Sequence, residues 1–448
     1  MSYEASTPPK APERSRTPES AEPLQDREAA TSPADGPLHG VRVVDAATIY
    51  AGPMLATLLG DFGADVVKVE HPKGDGLRTW EWRKDGESLW WAVAGRNKRG
   101  VSFSLSDPRG AEILLRLLAD ADVFVENFRP GTLEKWGLGP ERLHEVNPRL
   151  VITRVSGFGQ TGPYRTRPGF GTLAEAMSGF ADTNGPADGP PVLPQWPLAD
   201  GVAALAGAFA TMTALRHAER TGEGQVVDLS IYEPLFWILG AQVSAHDQLG
   251  VVPERQGSRT GFNVPRECYG TRDGKWVALS GATAGTGQRI MRAVGRDDLA
   301  DAPWFGDIKG RLAHRDEIDE AIAVWVRGRD QRDVLQRFEA VGATVGPVYT
   351  FADVIADPHF NERGTITSVD HPVLGPLRMQ GLIANLMGTP GSIRRVGPQV
   401  GEHNHEILVE QLGYSAPDLE RLQADGIVGA AAPRTARAPD SRDTKSQP

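Results

Sequence analysis

The chain has 448 residues, 40% of them hydrophobic, and a formal net charge of −10 at pH 7. That length exceeds a single core and points to two or three domains, and the acidic balance argues against a dedicated nucleic-acid binder, whose electrostatic footprint is basic. The single cysteine, Cys268, excludes an intrachain disulfide framework and every cysteine-based metal pattern, which suits a reducing cytoplasm.

Residues 1–37 are rich in Pro, Ser, Glu and Ala, lack the apolar core of a secretory signal, and read as a disordered N-terminal tail. From Gly40 the texture changes. VRVVD predicts a strand, MLATLLGDFG an amphipathic helix and ADVVKVE a second strand, one βαβ unit. The alternation continues through GVSFSL, PRGAEILLRLLAD, ADVFVEN, PERLHEVN and RLVITRVSGFG. Such a pattern predicts a mostly parallel sheet with helices on both faces. Helices are expected through GTLAEAMSGF and, from Asp200 onward, DGVAALAGAFATMTALRHAE; the strand GQVVDLS and one helix through EPLFWILGAQVSAHDQ follow. Residues 38–255 therefore form the N-terminal part of a large α/β domain.

Residues 256–350 read as a smaller α+β domain, opening on the hairpin YGTRDGKWVALSG with its DG turn. Residues 351–428 form a return segment ending in GEHNHEILVEQLGYS, and 429–448 read as a disordered C-terminal tail. No apolar run approaches the roughly 18 residues a membrane span needs.

In doubly wound sheets ligands sit beyond the carboxyl ends of the strands. Here those ends carry DAATIYAGP, EHPKGDGLR, SLSDPRG, ENFRPG and SGFGQTGPY. The first lacks the GxGxxG of a nicotinamide dehydrogenase, and no Walker loop, HExxH or GxSxG elbow stands at a suitable place. His403 and His405, the one close pair among ten histidines, read as a solvated turn, and no metal is assigned.

The ordered set GVRVVDAATIYAGPMLATLLGDFGADVVKVEHPKGDGLR, NKRG, ENFRPGTLEKWGL, NPRLV, SGFGQTGPY, GEGQVVDLS, DPHFNERG and GEHNHEIL resembles the family III CoA-transferases of the CaiB/BaiF type. It spans about residues 40–426. The resemblance implies an interlocked homodimer whose Rossmann-like large domain combines the N-terminal part with the C-terminal return. It also implies an acyl-CoA:carboxylate CoA-transferase, cytoplasmic, with the CoA thioester as substrate rather than resident cofactor, and with neither nucleic acid nor membrane as partner.

By the same resemblance Asp200 is the nucleophile, passing through an aspartyl anhydride and an aspartyl-CoA thioester. Read from the residues alone, Asp200 before a helix is equally an N-cap. The helix N-terminus is expected to keep it ionised, and Gly201 to leave room for a thioester beside main-chain N–H donors. Matching positions imply a CoA site along Ile49, Tyr50, Ala51, His71, Phe103, Leu105, Ser106, Asn127, Phe128, Arg129 and Lys135. Taken singly, these also fit core, turn and solvated roles. Arg96, Lys98 and Arg99 either add positive potential to that site or form a solvated charge cluster, the usual reading of such a run.

Some positions depart from the pattern. Tyr50 stands where formyl-CoA transferase has glutamine and Gly171 where it has glutamate, which disfavours formyl or oxalyl transfer. Phe170 stands where the racemase branch has its histidine, and a phenylalanine cannot shuttle a proton. A CoA-thioester racemase or epimerase, and a catalytically silent or partner-dependent CoA-binding subunit, are the alternatives. Glu175 reads as structural. Trp80, Trp82, Trp90, Trp91 and Trp196 are expected near the acyl end, where they would favour a bulky or apolar acyl group; ordinary packing is the other reading.

Overall fold

Six short segments, most of them rich in valine, pair side by side into one parallel sheet in the computed structural model, which describes residues 36–431. They are β1 (Arg42–Asp45), β2 (Asp65–Glu70), β3 (Lys98–Ser102), β4 (Val123–Glu126), β5 (Val151–Ser156) and β6 (Val226–Ser230). Their order is β3-β2-β1-β4-β5-β6, every pairing parallel. This is the Rossmann-like arrangement, and its topological switch point lies between β1 and β4. Alternate residues serve opposite faces: Val123 and Val125 join one core and Phe124 the other.

One face is covered by α1 (Ala51–Asp61) and the other by α2 (Pro108–Leu118). After β5 come α3 (Gly171–Met177) and the long α4 (Leu198–Thr221), which packs against α1, β5 and β6. By length and composition α4 would pass for a membrane span, with a mean hydropathy of 1.5 over its apolar window. Its small residues instead lie on α1, with Ala199, Ala203 and Ala204 in the same core as Leu55. It begins two residues before Asp200, earlier than the sequence suggests. The single helix expected over 233–248 is two, α5 (Tyr232–Ile238) and α6 (Gln242–Leu249). Between them Gly240 takes φ 80°, a conformation that ends a helix and suits glycine.

Strands β7 (Arg266–Gly270), β8 (Trp276–Ser280) and β9 (Thr344–Pro347) form an antiparallel sheet in the order β9-β8-β7. The expected hairpin turns at Asp273 and Gly274, and the sheet has its own core around Ile290, Phe305, Ile318 and Phe338.

Beyond it, β10 (Ile366–His371) and β11 (Gly375–Gln380) pair with each other alone among the described residues. Among the described residues the return segment adds no full strand to the parallel sheet; it meets the end of β3 in one antiparallel bridge, Phe103 with Val428. Main-chain bonds run beside it from the His403 N–H to the Gly100 carbonyl at 2.9 Å, the Ser104 N–H to the Ile427 carbonyl at 2.9 Å and the Gly429 N–H to the Ser102 carbonyl at 3.1 Å, and side-chain bonds add to these. Asn97 Nδ2 donates to Asp61 Oδ1 at 2.7 Å and to the Ser392 carbonyl at 2.8 Å, and its Oδ1 accepts the Arg394 N–H at 2.7 Å. His403 is no solvated turn: its Nδ1 accepts the Gly100 N–H of β3 at 3.0 Å. Asn404 accepts the Ser102 N–H at 2.9 Å and donates to the Gly429 carbonyl at 2.7 Å. Ile407, Leu408, Leu419 and Leu422 complete the core under α2. Apart from residues 36–37 and 429–431, the two stretches read as tails lie outside the described residues; Gly429 is buried against Ser102.

Candidate active site

The turn after β1 is where a dinucleotide-binding sheet would place its glycines. Here neighbouring side chains hold the main chain instead. Asp45 accepts the Ala47 N–H at 3.0 Å, Asn127 accepts the Thr48 N–H and donates to the Thr48 carbonyl, both at 2.7 Å, and Asp75 accepts the Ile49 N–H at 3.1 Å. Ile49 sits at φ 66°, which a β-branched residue rarely tolerates. Strain of this kind persists only where the surroundings fix it, and it concentrates at functional loops.

Beneath the turn lie two cations and two anions out of reach of water. Lys98 Nζ is 2.9 Å from Asp45, and Lys68 Nζ is 3.5 Å from Asp45 and 3.8 Å from Asp75. Lys68 also donates to the Ala47 carbonyl, and Lys98 to that of Pro53 at 2.6 Å. Lys98 is thus fully buried, not part of a solvated cluster, and burial pulls its pKa down against the pull of Asp45. Arg96 is likewise buried on Asp61 at 2.6 Å, and Arg99 joins Asp65 and Glu406 at 2.6 and 2.8 Å.

Asp200 occupies the third position of α4, inside the first turn, where its carboxylate meets its own main-chain N–H. Among the described residues no side chain hydrogen-bonds its carboxylate, which is partly exposed. The N-cap position is Pro197, and the cap comes from elsewhere: Glu175 of α3, 3% exposed, accepts the Ala199 N–H at 3.2 Å. Gly171, one turn before Glu175, lies against the nucleophile candidate, because a Cβ there would fall 2.0 Å from Asp200 Oδ2. A Cβ on Gly201 would meet nothing within 4 Å, so the approach beside Asp200 is open.

Burial and the charge of Glu175 raise the Asp200 pKa to about 6. The helix N-terminus was expected to hold it low. A helix dipole contributes about 0.3–1 kcal/mol at such a position, less than one pKa unit, and desolvation outweighs it here. At pH 7 the group is still about nine-tenths ionised.

The tryptophans gather beside this carboxylate. Trp90 is at the centre, with Tyr50 at 5.8 Å, Trp80 at 5.4 Å, Trp82 stacked at 5.9 Å and Trp196 at 6.5 Å. Trp91 is the exception: it is buried, donates to the Pro398 carbonyl at 2.7 Å and lies under Arg78. Tyr50 links the cluster to Asp200, which helps burial raise the phenol pKa. Its ring, with Trp82, Trp90, Leu377, Met379 and the guanidinium-bearing Arg96 and Arg378, lines a cavity of about 350 Å³.

The residues expected to hold CoA fall into two groups. Ile49, Tyr50 and Ala51 lie on the strained turn, Asn127, Phe128 and Arg129 follow β4 across the switch point, and His71 follows β2. Asn127 braces the turn, and Phe128 packs on Trp136 at 5.1 Å. His71, Ser106, Arg129 and Lys135 are exposed. Phe103 and Leu105, in contrast, are buried in the sheet core, 1% and 8% exposed. The buried ionic group and the Glu175 cap were not legible, because each joins residues from separate elements.

A family model described as CoA-transferase family III matches residues 38–404. The chain is 44% identical over 88% of its length to a succinyl-CoA–L-malate CoA-transferase beta subunit from Chloroflexus aurantiacus, covering 98% of that protein. It is 40% identical, again over 88% of its length and 98% of the other, to a succinyl-CoA–D-citramalate CoA-transferase from the same organism. In structure it matches a CaiB/BaiF family protein from Brucella suis with a TM-score of 0.75 and 30% identity, over 84% of this chain and 99% of that one.

Proposed function

The chain belongs to CoA-transferase family III, and from that premise we propose that it exchanges CoA between an acyl-CoA and a carboxylic acid through Asp200. The Asp200 carboxylate attacks the thioester carbonyl, the carbon–sulfur bond breaks, CoA thiolate leaves, and a mixed anhydride joins the acyl group to Asp200. The thiolate then attacks the aspartyl carbonyl, which releases the donor acid and leaves an aspartyl-CoA thioester. The acceptor carboxylate displaces that thiolate to form a second anhydride, and the thiolate attacks the acceptor's carbonyl, releasing the new acyl-CoA and the Asp200 carboxylate. Both acids enter and leave as anions, so no general base is needed.

The observation that carries this reading is a carboxylate in the first turn of α4 that no side chain among the described residues holds, with open space at Gly201 beside it. A cap would hold the N–H groups of its helix's first turn; the carboxylate of Asp200 meets only its own N–H, and the Ala199 N–H is held by Glu175 instead. We place the CoA along the turn at residues 49–51, residues 127–129, His71, Ser106 and Lys135, with Phe103 and Leu105 as buried support beneath it. Two relatives are named for succinyl-CoA with L-malate or D-citramalate. We therefore assign a short dicarboxylic acyl group as donor and a hydroxylated dicarboxylate as acceptor. The aromatic cavity would take the carbon chain, and Arg378 at its edge the distal carboxylate.

One relative is a beta subunit, and Phe209 and Trp237 are 76% and 81% exposed on this chain. We read the active form as a cytoplasmic assembly of two chains, the interlocked homodimer being the simplest. The test of the reaction is a panel of CoA thioesters and acids assayed with wild type and Asp200→Ala. Wild type should transfer CoA from succinyl-CoA to hydroxydicarboxylates, and the variant should lose at least about a thousandfold in kcat. Transfer retained in Asp200→Ala would refute the assignment.

A further inference from the structure

We propose that Glu175 is a positioning residue for Asp200: its buried carboxylate fastens the first turn of α4 and places a second negative charge behind the nucleophile. The proposal rests on Asp200 being that nucleophile.

Gly171 and Glu175 are one turn apart on α3 and face the same way. Gly171 lies under the Asp200 carboxylate, where a Cβ would collide with Oδ2 at 2.0 Å. Glu175 accepts the N–H of Ala199, the residue just before Asp200, at 3.2 Å. Because Pro197 at the N-cap offers no side-chain acceptor, the first turn of α4 would otherwise leave its N–H groups without this partner. A buried carboxylate is costly, and this one is placed where it can fix a main-chain donor next to the reacting group.

Among the described residues, Glu175 from α3 and the Tyr50 phenol from the turn before α1 interact electrostatically with Asp200, and Arg96 acts in turn on Tyr50. Burial raises the Glu175 pKa while the main-chain N–H groups of Ala199 and Leu198 oppose that rise, and the charge of ionised Glu175 makes Asp200 more basic. A more basic carboxylate is a stronger nucleophile once it is ionised. Oε1 of Glu175 thus has two separable effects, one geometric and one electrostatic.

Single-turnover acylation of Asp200, read as hydroxylamine-trapped adduct against pH, separates them. Wild type should lose rate below a limb near pH 6. Glu175→Gln keeps an oxygen acceptor and removes the charge, so the limb should fall by about one pH unit and the rate at pH 8 should drop a few-fold. Glu175→Met should shift the limb equally and lower the plateau a further tenfold or so, because the Ala199 N–H loses its acceptor. Circular dichroism checks folding, and if the Met variant does not fold the Gln variant still decides. A Glu175→Gln limb coincident with wild type would overturn the proposal. Asp200→Asn keeps the failures distinct: adduct formation there defeats the nucleophile assignment itself, while a dead Asp200→Asn with an unmoved Glu175→Gln limb defeats only the positioning role.

Discussion

Asp200 is held in a state its own stability disfavours. Its pKa rises on folding to about 6 from the ordinary aspartate value of 3.8. The folded state therefore binds the proton more tightly than the unfolded state, and the ionised carboxylate costs stability above pH 6, a cost relieved as pH falls toward 4. Allowing for its partial exposure, the cost at pH 8 is about 1–3 kcal/mol. Asp200→Asn should accordingly melt a few °C higher than wild type at pH 8, with the difference vanishing near pH 4, while transfer is lost. Calorimetry across that range checks the sign. An Asn variant less stable than wild type at pH 8 would mean that the carboxylate is a structural cap after all.

At the scale of elements, the turn after β1 depends on the buried group of Asp45, Lys68, Asp75 and Lys98. Removing one member leaves an uncompensated charge, and breaking such a pair typically costs about 3–5 kcal/mol. Lys98→Met should destabilise the protein by that order in urea unfolding and weaken CoA binding through the slackened turn; a loss below about 1 kcal/mol would show that Lys98 is not paired as described. The strands themselves were legible, because runs such as VRVVD and ADVFVEN are short, apolar on both faces and flanked by turns. The ionic group was not. NKRG reads as surface charge, and the partner of Lys98 lies 53 residues away, on β1. The start of α4 misled for a related reason. Asp200 looks like the first capping residue, yet the helix begins at Leu198 because its cap arrives from Glu175, 24 residues upstream.

Across the whole molecule, the alternation of strands and helices made the parallel sheet legible, but not how the return segment rejoins it. It adds no full strand: one antiparallel bridge between Phe103 and Val428, a few main-chain bonds beside it, and the side chains of Asn97, His403 and Asn404 tie it to β3 and its neighbours, and no periodicity encodes such contacts. Assembly leaves a clearer trace. α4 is apolar nearly all round, yet Phe209 on its outer side and Trp237 on α5 stand in solvent at 76% and 81% exposure. Sedimentation should give wild type twice the monomer mass at micromolar concentration, and the pair Phe209→Glu with Trp237→Glu should shift it toward the monomer with loss of transfer. A wild type that is active as a monomer would contradict this.

The central claim is that CoA passes through a covalent bond to Asp200. Incubating the protein with succinyl-CoA and hydroxylamine, followed by peptide mass mapping, tests it most directly. The account predicts a hydroxamate on Asp200 that requires the acyl-CoA and is absent from Asp200→Asn. Turnover without any modification of Asp200, or a hydroxamate on a different carboxylate, would contradict it.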